Sequence, residues 1–306
     1  MRVAVLSGGV GGARFLCGVV DAVPPADVTA IVNVGDDVEV LGLHVSPDVD
    51  SVLYALAGLA DEQRGWGRAN ETWNALDAAG QLGGESWFRL GDRDLGLHLV
   101  RTQALRTGTP LSRITLDFAR ALGIGATVLP ATDDRLRTWV GTPAGEFEFQ
   151  EWFVARGHRD EATALRYEGT ESARAAPGVL DALARADLVL IAPSNPYVSI
   201  APILAVEDIR RALESRTAPC VAVSPLVGGR AVRGPADRML ATLAGGTTPA
   251  HVASCYAGLI DALVVDEADA DALDGLDVRP IVTRTLMTDA AAQRRLAETA
   301  LGLVAA

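Results

Sequence analysis

The chain has 306 residues with 39 acidic against 27 basic side chains, a formal net charge of −12, and is 49% hydrophobic and 22% charged. That length supports a sizeable buried core and the composition is that of a globular protein, while an acidic balance without a basic patch excludes an ordinary nucleic-acid binder. All 27 basic residues are arginine, which rules out a Walker lysine, a Schiff-base lysine and a lysine general base. No apolar run approaches the ~18 residues of a membrane span, so no membrane partner is expected. Met1 leads straight into an apolar segment without the basic and apolar regions of a signal peptide. Cys17, Cys220 and Cys255 are far apart and form no C-x-x-C, which reads as reduced thiols and a cytoplasmic location.

The first predicted strand, 2–6, runs into Ser7-Gly8-Gly9-Val10-Gly11-Gly12-Ala13-Arg14, followed by a helix over 12–23. A glycine loop between strand and helix can wrap an anion with backbone N–H groups, which makes Gly8, Gly9, Gly11 and Gly12 candidate phosphate binders, with Arg14 in the first helical turn. It is a poor dinucleotide fingerprint, because the third glycine would fall at Arg14 and the acidic end of the second strand is Asn33. That second strand, 29–34, ends in Asn33-Val34-Gly35-Asp36-Asp37. Ser46-Pro47-Asp48-Val49-Asp50 follows and opens a helix over 49–60. Four aspartates within fifteen residues repel one another and call for a divalent cation or arginines. Asp36, Asp37, Asp48 and Asp50 are the candidates for that role. For either Asp48 or Asp50, capping of helix 49–60 is the alternative.

The segment 61–93 is rich in glycine, tryptophan and charge, including Arg64-Gly65-Trp66-Gly67, Trp73 and Trp87. Gly91-Asp92-Arg93-Asp94 then opens a helix over 94–107, with Asp94 as a possible cap; Arg93, and more weakly Arg89, could meet a phosphate there. His98 and Arg101 follow at i and i+3, and His98 reads as packing. A helix over 112–122 and a strand over 127–130 precede an antiparallel set: 138–141, a turn at Thr142-Pro143-Ala144-Gly145, then 146–154 and 163–168. Strands over 188–192, 219–224, 262–266 and 279–283 then alternate with helices over 178–185, 206–215, 235–244, 249–257 and 289–304. The loops 192–200 and 224–229 offer Ser194, Asn195 and Ser224, which can read a base edge or a ribose; ordinary turn chemistry is the competing account. The alternation predicts an α/β fold with a doubly wound, mostly parallel Rossmann-like sheet, as a single domain over 1–306. Approximately 61–170 forms an inserted helical and antiparallel-strand subregion. There is no zinc spacing and no G-x-S-x-G elbow.

Taken together, Leu6 to Arg14, Val32-Asn33-Val34-Gly35-Asp36-Asp37, Ser46-Pro47-Asp48-Val49-Asp50, Arg64-Gly65-Trp66-Gly67, Leu90-Gly91-Asp92-Arg93-Asp94, Ala192-Pro193-Ser194-Asn195-Pro196 and Ser224-Pro225 resemble the 2-phospho-L-lactate transferases of coenzyme F420 biosynthesis. The glycine loop with Arg14, Gly65-Trp66-Gly67 and Glu71-Thr72-Trp73-Asn74 are most similar to the actinobacterial phosphoenolpyruvate transferase branch. The resemblance implies a cytoplasmic, Mg²⁺-dependent homodimer. Its reaction joins the deazaflavin alcohol Fo to a phospho-acid activated as a guanosine diphosphodiester, giving F420-0 or dehydro-F420-0 and GMP. By family position Asp50 is the main metal or hydroxyl-facing residue with Asp48 and Asp36 in support. Arg93 and the 8–14 loop would hold phosphates, the loops at Ser194 and Ser224 nucleotide or flavin, and Asn33 and Asp36 would also contact bound ligand. The residues carrying the chemistry would be Asp50, Asp48 and Arg93. The competing class is a non-enzymatic nucleotide-sugar-binding regulator of related fold.

Overall fold

The computed structural model describes residues 1–302. Seven strands form one parallel sheet: β1 (Val3–Ser7), β2 (Val28–Val32), β3 (Thr127–Pro130), β4 (Leu188–Ile191), β5 (Cys220–Val223), β6 (Ala262–Asp266) and β7 (Arg279–Thr283). Their order is β7-β6-β5-β4-β1-β2-β3. Every residue of β1, β4, β5 and β6 is buried, which is why these strands read as unbroken apolar runs rather than alternating ones: helices cover both faces. β7 and β3 lie at the two edges, where Pro280 and Pro130 cost no ladder hydrogen bond to a further strand. The winding reverses between β1 and β4, so the crevice at their carboxyl ends is where this architecture receives a ligand. The predicted doubly wound sheet is the observed one.

Other elements depart from the sequence-based expectation in instructive ways. The first helix, Gly9–Ala22, starts inside the glycine-rich segment rather than at residue 12. The next, Pro47–Leu56, starts at Pro47, so Asp48 and Asp50 lie in its first turn and neither is the N-cap. Leu41 and Gly42, with φ of 52° and 74°, turn Val38–Val40 back onto Leu43–Val45; leucine in a left-handed position hid that hairpin. In 61–93 the helix Asn74–Gln81 was not foreseen. It and helix Asp92–Arg106 exchange caps: Asp92 accepts from Ala75 N–H at 3.0 Å, while Glu71 accepts from Arg93 and Asp94 N–H at 2.8 and 2.9 Å. Asp94 is therefore not the cap and its side chain is free to turn inward.

The region 61–170 contributes β3 to the main sheet and also holds a separate antiparallel sheet of Gly145–Glu148, Arg137–Thr142 and Ala164–Glu168. The strand expected over 146–154 stops at Glu148, and Glu151–Ala155 coils as a wide helical turn. Burial of Phe149 and Trp152 in one cluster with Val140 and Met239 requires side chains three apart to share a side, which a strand cannot provide. The last helix covers Ala290–Leu301; residues 303–304 of the predicted helix lie outside the described residues. Among the described residues no helix is long and apolar enough to cross a membrane.

Candidate active site

A cleft of about 780 Å³ opens at the carboxyl ends of β1, β4 and β5. β1 ends at Ser7 and the chain turns at Gly8 into the first helix, whose N-terminus carries no side-chain cap and no acidic residue. Such an end presents N–H groups and positive dipole to an anion. Two of the glycines also answer to packing. A Cβ on Gly8 would fall 2.6 Å from Asp48 Oδ2, and one on Gly12 would fall 2.5 Å from Ser7 Oγ and 2.6 Å from Ser194 Oγ. Gly8, Gly9 and Gly11 line the cleft and Gly12 is buried behind them. Arg14 also lines it, and donates to the Met287 carbonyl at 2.6 Å, tying the segment 285–287 to the cleft rim.

The carboxylates sort into two kinds. Asp36 and Asp48 are both buried in the cleft floor. Asn33 lies beneath them, donating to Asp48 Oδ2 at 2.9 Å and to the Val198 carbonyl at 3.1 Å. Fully buried, it orients Asp48 and does not face the cleft, so the expectation that it contacts ligand is corrected. Asp36 Oδ1 has no hydrogen-bond partner. Burial, then the Asp48 charge, pushes the Asp36 carboxyl well above its ordinary value. Burial likewise raises Asp48, to about 6, against the hydrogen bonds it accepts from Asn33 and Gly9. Among the described residues no cationic side chain forms an ion pair with either of them. Asp50 differs: Arg101 forks onto it, NH1 reaching Oδ2 at 3.0 Å and NH2 reaching Oδ1. The predicted trio of metal ligands thus divides into an uncompensated pair, Asp36 and Asp48, and an arginine-neutralised Asp50. Among the described residues no group of three or more His, Cys, Asp or Glu side chains is arranged to hold a metal alone.

The remaining candidates are placed as follows. Arg93 is exposed and does not line the cleft; the helix start that was to aim it at a phosphate is occupied by Glu71. Arg89 does line the cleft, stacked 5.0 Å from the Trp73 ring. Ser194, Asn195 and Ser224 line it too, but each also makes a turn bond. Ser194 donates to the Gly8 carbonyl at 2.6 Å, Asn195 Oδ1 accepts from Tyr197 N–H at 3.0 Å, and Ser224 Oγ accepts from Leu226 N–H at 3.2 Å. Sequence reasoning missed Tyr54, Asp94 and the lining role of His98. The signal was present: Asp50 and Tyr54 are at i and i+4, and Asp94, His98 and Arg101 at i, i+4 and i+7, so each set shares one helix face. It also missed the apolar wall made by Trp66, Phe88, Phe149, Phe153 and Leu286. Across the mouth Arg233 donates to the Gly65 carbonyl at 3.1 Å.

An open α/β sheet whose carboxyl-edge cleft sets a glycine-lined helix N-terminus beside buried carboxylates is the arrangement of a doubly wound, ligand-receiving α/β protein. Residues 3–286 match the family described as 2-phospho-L-lactate transferase CofD, and the chain belongs to that family. It is 44% identical over 312 residues to the phosphoenolpyruvate transferase of Streptomyces coelicolor, covering 99% of this chain and 98% of that protein. It is 41% identical over 324 residues to the phosphoenolpyruvate transferase of Mycolicibacterium smegmatis, again covering 99% and 98%. A solved structure of similar fold is a UPF0052 family member from Bacillus halodurans, with a TM-score of 0.65 and 19% identity over 98% of this chain and 100% of that one; that likeness concerns the fold alone. The family places the chain among the transferases of coenzyme F420 biosynthesis.

Proposed function

We propose that this protein moves a phospholactyl or phosphoenolpyruvyl group from its guanosine-diphosphate-activated form to the ribityl hydroxyl of the deazaflavin Fo. The products are F420-0 or dehydro-F420-0 and GMP. The observation that carries this reading is the juxtaposition, in one cleft, of the glycine-lined N-terminus of the first helix, where Asp48 accepts the Gly9 N–H, with the Asp36–Asp48 pair, which no cationic side chain among the described residues neutralises. Phosphate and carboxylate repel at that distance unless a divalent cation joins them. The orphaned Asp36 oxygen and the raised carboxyls fit Mg²⁺, which Asp36 and Asp48 would hold and which would offset charge developing on the transferred phosphoryl group. The first-helix N–H groups and Arg14 bind phosphate oxygens. The aromatic wall of Trp66, Phe149 and Phe153 excludes water and accepts a planar ring. In the transfer the ribityl oxygen bonds to the distal phosphorus, the bond from that phosphorus to the GMP oxygen breaks, and the hydroxyl proton is released. Homodimer formation in a cytoplasmic setting belongs to the same reading.

The test is incubation with Fo, the guanylate-activated phospho-acid and Mg²⁺, with mass spectrometry of the product. Formation of F420-0 or dehydro-F420-0 with stoichiometric GMP is expected, and binding of substrate without turnover would reverse the reading in favour of a non-enzymatic binder. Metal occupancy has its own signature. Asp48 has a folded value near 6, above the ~3.9 of an unfolded aspartate. The folded state therefore holds the proton more tightly, and the metal-free protein should gain stability as pH falls from 7.5 through 6. Mg²⁺ should raise the melting temperature at pH 7.5, where the Asp48 carboxyl is ionised, and lose that effect near pH 5, where Asp48 holds a proton. A Mg²⁺-induced shift of equal size at both pH values would remove this pair as the metal site.

A further inference from the structure

Behind Asp50 lies a run of polar side chains that the transfer reaction as described leaves unused. Asp50 and Tyr54 come from helix Pro47–Leu56; Asp94, His98 and Arg101 come from helix Asp92–Arg106, which faces it. Arg101 is 1% exposed and does not line the cleft, whereas the other four residues do. Its NH1 group lies 3.0 Å from Asp50 Oδ2 and 3.3 Å from His98 Nδ1. Arginine only donates, so His98 Nδ1 is the acceptor and the ring proton sits on Nε2. That nitrogen lies 3.3 Å from Asp94 Oδ2, within ion-pair range but without hydrogen-bond geometry, and the other Asp94 oxygen accepts the Tyr54 hydroxyl. The hydrogen bonds thus run from Tyr54 onto Asp94 and from Arg101 onto His98 and Asp50, and the close approach of His98 Nε2 to Asp94 links the two sets.

We infer that Arg101 is a positioning residue, which fixes the Asp50 carboxylate so that its remaining lone pairs orient the acceptor hydroxyl for attack, and that His98, Asp94 and Tyr54 hold Arg101 in that pose. The inference rests on the transferase reading above. A bidentate guanidinium occupies one lone pair on each carboxylate oxygen and locks the carboxylate plane. The outer lone pairs remain for a hydroxyl arriving from the cleft. No proton needs to move along the chain. The gain is in geometry, and a misplaced nucleophile costs about 10²-fold in rate.

The experiment is a double-mutant cycle between Arg101→Lys and Asp50→Asn, read as kcat and KM for transfer to Fo. Lysine keeps the charge but not the planar fork. Arg101→Lys should lower kcat by about 10²-fold while KM for the activated guanylate stays at the wild-type value. In the Asp50→Asn background the same change should cost nothing further. Near-normal kcat in Arg101→Lys, or losses that multiply, would overturn the inference. If Arg101→Lys fails to fold, Tyr54→Phe decides: a several-fold loss of kcat that vanishes in the Asp50→Asn background supports the chain, and unchanged kcat overturns it. The His98 tautomer, read from ¹⁵N chemical shifts of the resting protein, tests the chain without any turnover. Protonation on Nε2 is expected, and a proton on Nδ1 would break it. Absence of transfer by the wild type, with the expected tautomer, would instead strike the transferase reading.

Discussion

Asp48→Asn is expected to lower the rate of transfer by on the order of 10²–10³, the range seen when one preorganised electrostatic partner is removed from a reacting phosphate or acyl group. The metal-free fold should be at least as stable as the wild type at pH 7.5. Both halves follow from the same geometry. Asp48 is buried, it faces Asp36 without a neutralising arginine, and its carboxyl is pushed up to about 6, first by burial. An amide of nearly equal shape can still accept from Asn33 through its oxygen, so packing survives while the charge that calls for a cation is gone. Steady-state kinetics beside thermal melts at pH 7.5 make the comparison. A well-folded variant with near-normal turnover would remove Asp48 from the chemistry and leave it as a packing residue against Gly8. The fold holds two carboxyls together, each raises the other's proton affinity, and a bound ion would relieve that repulsion.

Arg101→Ala is expected to destabilise the protein by on the order of 3–5 kcal/mol, the cost of leaving a buried charge without its partner. Arg101 and Asp50 are both buried and joined by two hydrogen bonds, and the guanidinium also lies 5.8 Å from the Phe118 ring. Removing the arginine strands the Asp50 carboxylate and opens a space beside helix Leu111–Ala121. Combining Arg101→Met with Asp50→Leu removes both charges and should recover most of the loss, because an apolar pair of similar volume can replace a buried ion pair at little cost. Denaturant unfolding of the two variants measures this. A loss below about 1 kcal/mol for Arg101→Ala would show that water reaches Asp50 readily, and the pair would then have to be treated as a surface one.

The two substitutions expose different origins of the same acidic cluster. Along the chain, Asp36, Asp37, Asp48 and Asp50 are indistinguishable carboxylates in a short window. In space their partners come from elsewhere. Asp37 accepts from the Ser46 hydroxyl at 2.8 Å and lies 2.8 Å from His44 Nε2. Asp50 is taken by an arginine fifty-one residues away, while Asp36 and Asp48 are left to each other. Which aspartate is free for a ligand is therefore a property of what the second helix pair brings, not of spacing within the cluster.

The sequence by itself determined the parallel sheet, because strands buried on both faces must be apolar throughout, and β1, β4, β5 and β6 could be read from that run pattern alone. It also marked the glycine-rich turn at the first strand end as the place where backbone N–H groups could meet an anion, since a concentration of glycine at a helix start has few physical uses, and it marked the aspartates of 36–50 as a group needing cationic company. Only the tertiary structure decided how that need is met. Arg93, placed by local spacing at a helix start, was excluded from the cleft because Glu71, a distant cap, took that start. Arg101, which spacing marked as a helix-face residue and nothing more, became the partner of Asp50 because two helices from different parts of the chain face each other. Local patterning fixes which groups lie on one face of one element; electrostatic pairing is a contact between elements, and its outcome depends on distances that no single stretch of sequence contains.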